Sequence, residues 1–272
     1  MRRSDRESDD RPAVGESHEH GVVEAVLLDI DGTLLDSNDA HAQAWSDALH
    51  EAGYEIGSET VRPLIGMGAD KLLPHLTRIE ADGERGKQIV ERRKEIFAKE
   101  YLPLVKPFPK ARELLQRMRS DGLRLVVATS ASDDELRGLL HALGAEWLVD
   151  EKTSSSDAKR SKPDPDIVRV AIDKADVGPD RCVMLGDTPY DVAAATRSRA
   201  RVIGLRCGGW GDDELLGAAE IYDDPAQLLA RYEDSLIGRG VRVARDALRD
   251  KGKRTPKGGE KRGEEESHAD GG

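Results

Sequence analysis

Cysteine is nearly missing from this chain: 272 residues hold two, Cys182 and Cys207. That is too few for a disulfide framework, and no spacing here suits zinc, so a reducing, cytoplasmic setting is expected. Long apolar runs are also missing. None approaches the roughly 18 residues of a membrane span, and the N-terminus has no apolar signal segment. Nor does positive charge dominate: 42 Lys and Arg face 53 Asp and Glu, a net charge of −11. That balance opposes general binding to nucleic-acid phosphates. The expectation is a soluble acidic protein with neither nucleic acid nor membrane as partner. No internal repeat is found.

At this length the chain holds one large domain or two small ones. Charged residues reach 35% against 38% hydrophobic, so a core needs the polar residues to be gathered elsewhere. They gather at the ends. Residues 1–20 are charged and almost without apolar side chains, and are expected to be disordered. In 239–272, Val241, Ala244 and Leu248 continue a helix for a few turns. The rest of that charged tail, with Arg242, Arg245, Arg249, Lys251, Lys253 and Arg254, is expected to be solvated and largely disordered.

What is present centres on Val22 to Ser37, V-V-E-A-V-L-L-D-I-D-G-T-L-L-D-S. The run Val26-Leu27-Leu28 suits a strand buried on both faces, as in a parallel sheet. Such sheets bind ligands at the carboxyl ends of their strands, where Asp29 emerges. Asp29 and Asp31 flank one residue, so in an extended chain both lean to one side. Gly32 lets the backbone turn at once and approach a ligand. Two carboxylates on one side repel unless a cation stands between them. This is a candidate nucleophile, proton-transfer and metal site; the plainer reading is an acidic turn closing a strand.

After that strand come about 70 residues of helical pattern. His41, Trp45, Ala48, Leu49 and Ala52 share one face; Val61, Leu64 and Ile65 form a short second helix closed by Gly66-Met67-Gly68. Leu72, Leu73 and Leu76 mark a third helix interrupted by Pro74, and Ile89, Ile96, Phe97 and Tyr101 a longer one from about Glu84. That is too long for an ordinary crossover, and points to an inserted helical domain at 38–106. The remaining core is expected at 21–37 and 107–238, where strand and helix alternate. The strands are Leu123–Thr129, Trp147–Val149, Cys182–Leu185, Arg201–Leu205 and Ile221–Tyr222. Helices lie between them, one ending at Gly144 as its cap. The fold class is α/β: a doubly wound, Rossmann-like parallel sheet with an inserted α-helical cap.

Four segments bring polar groups to one rim: Asp29 and Asp31; Thr129 and Ser130; the lysines of the loop 150–163; and Gly186-Asp187-Thr188-Pro189-Tyr190-Asp191. Together D-I-D-G-T-L-L-D-S, A-T-S-A, S-K-P-D-P-D and G-D-T-P-Y-D resemble, in order, the four motifs of the haloacid dehalogenase superfamily of aspartate-dependent phosphohydrolases. The resemblance covers about Val22 to Tyr232. It is closest to the helical-cap branch, with its phosphoglycolate phosphatase-like and β-phosphoglucomutase-like proteins.

The resemblance implies roles with physical reasons. Asp29 attacks phosphorus and becomes an aspartyl phosphate. Asp31 protonates the leaving alcohol, then takes a proton from the attacking water. Lys162 and Mg²⁺ offset the repulsion between carboxylate and phosphate. The implied Mg²⁺ ligands are the Asp29 carboxylate, the Asp31 backbone carbonyl and Asp187, all hard oxygens. Thr129 bonds a phosphoryl oxygen, helped by backbone N–H groups near Ser130 and Gly32.

Other readings stand beside these. Thr188-Pro189-Tyr190-Asp191 is also a helix start, so Asp191 is either a cap or a group behind the metal ligands. Ser132 and Glu135 read as a capping box, Lys152 and Lys159 as solvated, and His41 and Trp45 as packing. Cys182 is expected to be buried in its strand. The second motif carries Ser130 where many relatives have asparagine, and Ser198-Arg199-Ala200 stands where they usually place a glycine.

The expected activity is Mg²⁺-dependent hydrolysis of small phosphomonoesters, the partner being a small phosphorylated metabolite. The alternative is a sugar phosphomutase of the β-phosphoglucomutase kind. Against it, Gly66-Met67-Gly68-Ala69-Asp70-Lys71 lacks the arginine such mutases usually carry there. Dehalogenases of the superfamily lack the second aspartate, which Asp31 supplies. A non-catalytic binding protein on the same fold is the reading from another class. His41, Arg62, Lys71 and His75 are candidate cap contacts to substrate.

Overall fold

The computed structural model describes residues 21–253. The disorder expected at 1–20 and beyond 253 falls outside the described residues. Six strands form one parallel sheet: β1 (Ala25–Leu28), β4 (Arg124–Ala128), β5 (Glu151–Thr153), β6 (Cys182–Gly186), β7 (Arg201–Leu205) and β8 (Glu220–Tyr222). Their order is β5-β4-β1-β6-β7-β8. β1 is central, in register with β4 (Leu27 opposite Val126) and β6 (Leu27 opposite Met184).

Alternation along β1 explains the two helical layers. Val26 and Leu28 pack into one apolar cluster, Ala25 and Leu27 into another, as a period of two requires. The first cluster takes Leu114, Leu115 and Met118 of α5 (Ala111–Ser120) and Leu136, Leu139 and Leu140 of α6 (Asp133–Leu143). The second takes Ile167, Val168 and Ala171 of α7 (Asp166–Ala175) and Val192 and Ala195 of α8 (Pro189–Arg197). Helices on both faces make the sheet doubly wound. Gly144 caps α6 at φ +62°.

The helical insertion leaves and re-enters through two short strands, β2 (Leu35–Asp36) and β3 (Lys106–Pro107), paired antiparallel. Between them lie α1 (Asn38–Glu51), α2 (Ser58–Val61), α3 (Ala69–Thr77) and α4 (Glu84–Ile96). Trp45, Leu49, Val61, Leu72, Leu73 and Ile89 give this cap an apolar cluster of its own.

Two local expectations are corrected. Trp147–Val149 is not a strand: Glu146–Leu148 forms a 3₁₀ turn, and the edge strand is β5, aligned by pairing with Val126–Ala128. Trp147 is 68% exposed, so the apolar triplet that looked like a buried strand is partly surface. Pro74 does not interrupt its helix; α3 runs through it, with Leu72 and Leu73 fully buried on either side of the cap's interior. The helix expected through Val241, Ala244 and Leu248 is present as α9, which spans Leu236–Lys253 and buries Leu236, Ile237 and Val241. After α8 the missing glycine is replaced by Arg199 at φ +61°, a left-handed backbone that glycine adopts more readily.

Candidate active site

Asp29 leaves β1 with its N–H donating to Leu185 of β6 at 2.9 Å, which fixes its height at the sheet's carboxyl edge. Its carboxylate meets Lys162, whose Nζ lies 2.5 Å from Asp29 Oδ1 and 2.7 Å from Asp191 Oδ1. Asp187 follows β6. Thr33 Oγ1 donates to Asp187 Oδ1 at 2.9 Å and Asp29 Oδ2 at 3.2 Å, and Asn38 Nδ2 donates to Asp187 Oδ2 at 2.9 Å. Oxygens of Asp29, Asp187 and Asp191 lie within 4.8 Å of one another, and all three residues are buried. Glycine makes this possible. A Cβ at Gly32 (φ +76°) would come within 2.3 Å of Asp187 Oδ2, and one at Gly208 within 1.7 Å.

The cap reading of Asp191 holds. Its Oδ2 accepts from Thr188 N at 3.1 Å while its own N–H donates to Thr188 Oγ1 at 3.2 Å, a capping box starting α8. Its other oxygen faces Lys162. Lys162 is buried, whereas Lys152 and Lys159 are exposed.

Three carboxylates are buried together, and only Asp29 and Asp191 of them pair with the Lys162 ammonium. Burial pushes Asp29 up to about 7; Lys162 pulls it back, while Asp191 and Asp31 push further. Burial likewise lifts Asp187 well above the carboxylate range, with Asp29 and Asp191 adding to it and Thr33 and Asn38 opposing. For Lys162 burial disfavours the charge, but Asp191 and Asp29 outweigh it and raise its pKa. The cluster is short of positive charge and offers only oxygen ligands, the donor set that Mg²⁺ takes.

Asp31 turns the other way. Its Oδ1 accepts from Ser37 Oγ at 2.5 Å and His41 Nε2 at 2.7 Å. His41 stacks on Phe97, with ring centroids 4.0 Å apart. Its Nδ1 accepts from Arg93, which in turn donates to Glu135 at 2.8 and 3.0 Å and lies over the Trp45 and Phe97 rings. Burial works against ionisation of Asp31, but His41 first, then Ser37 and Arg93, hold its carboxyl below the usual range.

This chain of contacts escaped the sequence reading. His41 packs, as expected, but its ring also bonds Asp31. Glu135 forms no capping box, since Ser132 makes no side-chain cap bond and Arg93 takes the Glu135 carboxylate instead. A signal was present: Arg93 falls at helical spacing within the apolar stripe Ile89, Ile96, Phe97, and a charge there needs a buried partner.

Thr129 is buried at the end of β4, its Oγ1 accepting from Ala131 N at 3.1 Å. Ser130 Oγ donates to the cap carbonyl of Gly66 at 3.2 Å. Among the cap residues, Arg62 bonds Gly208 O and Asp39, Lys71 bonds Ser161 O, and His75 is exposed. Cys182 is buried, and Cys207 Sγ donates to Gly32 O at 3.3 Å. A cavity of about 260 Å³ lies between cap and core, lined by Asp29, Asp31, His41, Trp45, Arg93 and Thr129 among others. Neither Lys162 nor Asp187 is among its lining residues.

All four segments that meet here fall within the match to a known family. A family model described as haloacid dehalogenase-like hydrolase fits residues 23–198. The chain belongs to that family. Within it, the chain is 31% identical over 217 residues to a phosphoglycolate phosphatase of Rhodospirillum rubrum, covering 76% of this chain and 90% of the relative. It is 28% identical over 197 residues to one from Nitrosospira multiformis, covering 71% and 86%. The crystal structure of a hydrolase from Pseudomonas syringae superposes with a TM-score of 0.73 at 29% identity, over 78% of this chain and 98% of that one. Among the described residues of this haloacid dehalogenase-like hydrolase, no helix is long and apolar enough to cross a membrane.

Proposed function

We propose that the protein is a Mg²⁺-dependent phosphatase of small phosphomonoesters that works through an aspartyl phosphate. The observation that carries this is Asp29, exposed to the cavity on one side and held by Lys162 on the other. Asp29 attacks phosphorus and the ester P–O bond breaks. The leaving oxygen takes its proton from Asp31, which then accepts one from the water that attacks the acyl phosphate. Inorganic phosphate departs, and Asp29 is restored.

A carboxylate and a phosphate charge at 4 Å repel by about 4 kcal/mol at an effective dielectric near 20, so cations are required. Lys162 supplies one charge. Mg²⁺ would be held by Asp29 and Asp187, with the Asp31 carbonyl in the set and Asp191 in the same cluster, and it supplies two more charges when bound. Thr129 and backbone N–H groups near Ser130 would receive the phosphoryl oxygens, whereas the Gly32 N–H is already given to Leu35 O at 2.8 Å. The low pKa of Asp31 favours its proton-accepting half of the cycle.

The small cavity suits a small phosphorylated metabolite, and the two relatives above are named phosphoglycolate phosphatases. Hydrolysis is preferred to phosphoryl return because no arginine stands in Gly66–Lys71; isomerisation of a sugar phosphate without phosphate release would reverse that preference. The direct test is Asp29→Asn. Phosphate release from p-nitrophenyl phosphate should fall by roughly 10⁴–10⁶-fold, as when a covalent nucleophile is removed. Undiminished turnover by the purified variant would sink the mechanism.

A further inference from the structure

Lys162 reaches Asp29 from a peptide that the cap grips. Ser161, the preceding residue, donates its N–H to Asp70 Oδ2 at 3.1 Å and accepts at its carbonyl from Lys71 Nζ at 2.6 Å. Lys71 also pairs with Asp164 Oδ2 at 2.8 Å, two residues past Lys162. Asp164 N closes the turn on Ser161 O at 3.1 Å. Gly68 lets the cap approach this closely, since a Cβ there would lie 2.6 Å from Ser161 Cβ. Asp70 and Lys71 form the first turn of α3, so the Ser161 N–H and one of the two bonds to its carbonyl go to the cap.

We propose that Asp70 and Lys71 are positioning residues for Lys162. The inference rests on Lys162 being the ammonium that faces the phosphoryl group. A lysine side chain is long and flexible, so its charge is placed only when both ends are held. Asp29 and Asp191 hold the ammonium, and the cap holds the backbone. Closing the cap and setting the charge beside Asp29 are then one event, and Lys71 serves the lysine loop rather than touching substrate.

The experiment compares Asp70→Ala, Lys71→Ala and their double variant with Asp70→Asn, using p-nitrophenyl phosphate and Mg²⁺. The double variant should lose about tenfold in kcat with KM changed less than about threefold, because misplacement of a charged group acts on the transition state more than on binding. Each single variant should lose less, in the same direction. Asp70→Asn should keep most of its kcat, since an amide oxygen still accepts the Ser161 N–H. Unchanged kcat, a loss confined to KM, or equal damage from Asp70→Asn and Asp70→Ala would overturn the inference. Lys162→Ala is the parallel control. Full activity in that variant defeats the reading of Lys162 itself; inactivity there, with the double variant at full kcat, defeats only the positioning role. If the double variant fails to fold, the single variants carry the same comparison.

Discussion

Two aspartates one residue apart sit in opposite electrical surroundings. Asp29 looks into the core, where it shares Lys162 with the buried Asp191 and burial pushes its carboxyl up to about 7. Asp31 looks into the cap, where His41, Ser37 and Arg93 hold its carboxyl low. The sheet supplies one environment and the insertion the other. A D-x-D pair therefore gets two chemistries from its second partners, rather than from its own residues.

Removing the core's cation is the strongest way to break that contrast. Lys162→Ala should lower phosphate release by roughly 10³-fold, the scale for losing a preorganised electrostatic group. A variant within a few fold of the parent would show that Lys162 is structural only. On the cap side, His41→Ala should cost roughly tenfold to hundredfold in kcat, within the range for general acid–base assistance. His41 lowers the Asp31 pKa, so its loss raises it. Where attack of water on the aspartyl phosphate governs the rate and Asp31 acts as the base, the acid limb of the pH–rate profile should then move to higher pH, with activity at pH 5.5 falling more than at pH 8. Superimposable profiles would mean that Asp31 does not depend on the cap.

The smallest effect sharpens the comparison from the core side. Asp29 stands near 7 in the folded chain against an ordinary 3.8, and Asp187 is also raised. The folded form then binds more protons than the unfolded one, so this pair costs the metal-free protein stability as pH rises from about 4 to about 7. On the proposed function, Mg²⁺ would compete with those protons. At a hundredfold excess over Kd it should raise the melting temperature by roughly 5–10 °C at pH 8, and by clearly less at pH 5. Equal shifts at both pH values in a fluorescence melt would contradict the placement of the ion at these acids.

Much of the core was legible because its signals are local. The apolar run before Asp29, the capping pattern Thr188–Asp191 and Gly144 after α6 each announce themselves within a few residues. Lys162 was distinguishable from Lys152 and Lys159 only by its K-P-D-P context, and its burial bears out that separation. What stayed hidden depends on distant partners. Glu135 looked like the end of a capping box because Arg93, 42 residues upstream, is invisible in that window. Lys71 looked like a substrate contact because nothing near it in sequence reveals Ser161. Trp147 misled for another reason: an exposed tryptophan beside Leu148 and Val149 has the composition of a strand without its pairing.

The antiparallel pair Leu35–Asp36 and Lys106–Pro107 joins the two ends of the insertion side by side. Paired Cα atoms stand about 4.5–5.5 Å apart, so the whole cap hangs from a gap that a two-residue turn can bridge. In engineering terms the insertion is a cassette with adjacent sockets. A cap of different shape can be spliced in at that pair while β1 and the residues around Asp29 keep their covalent frame. The ladder at Leu35–Pro107 is the natural seam for such an exchange, and a replacement cap must bring its own partners for Asp31, Asp187 and the Ser161 backbone.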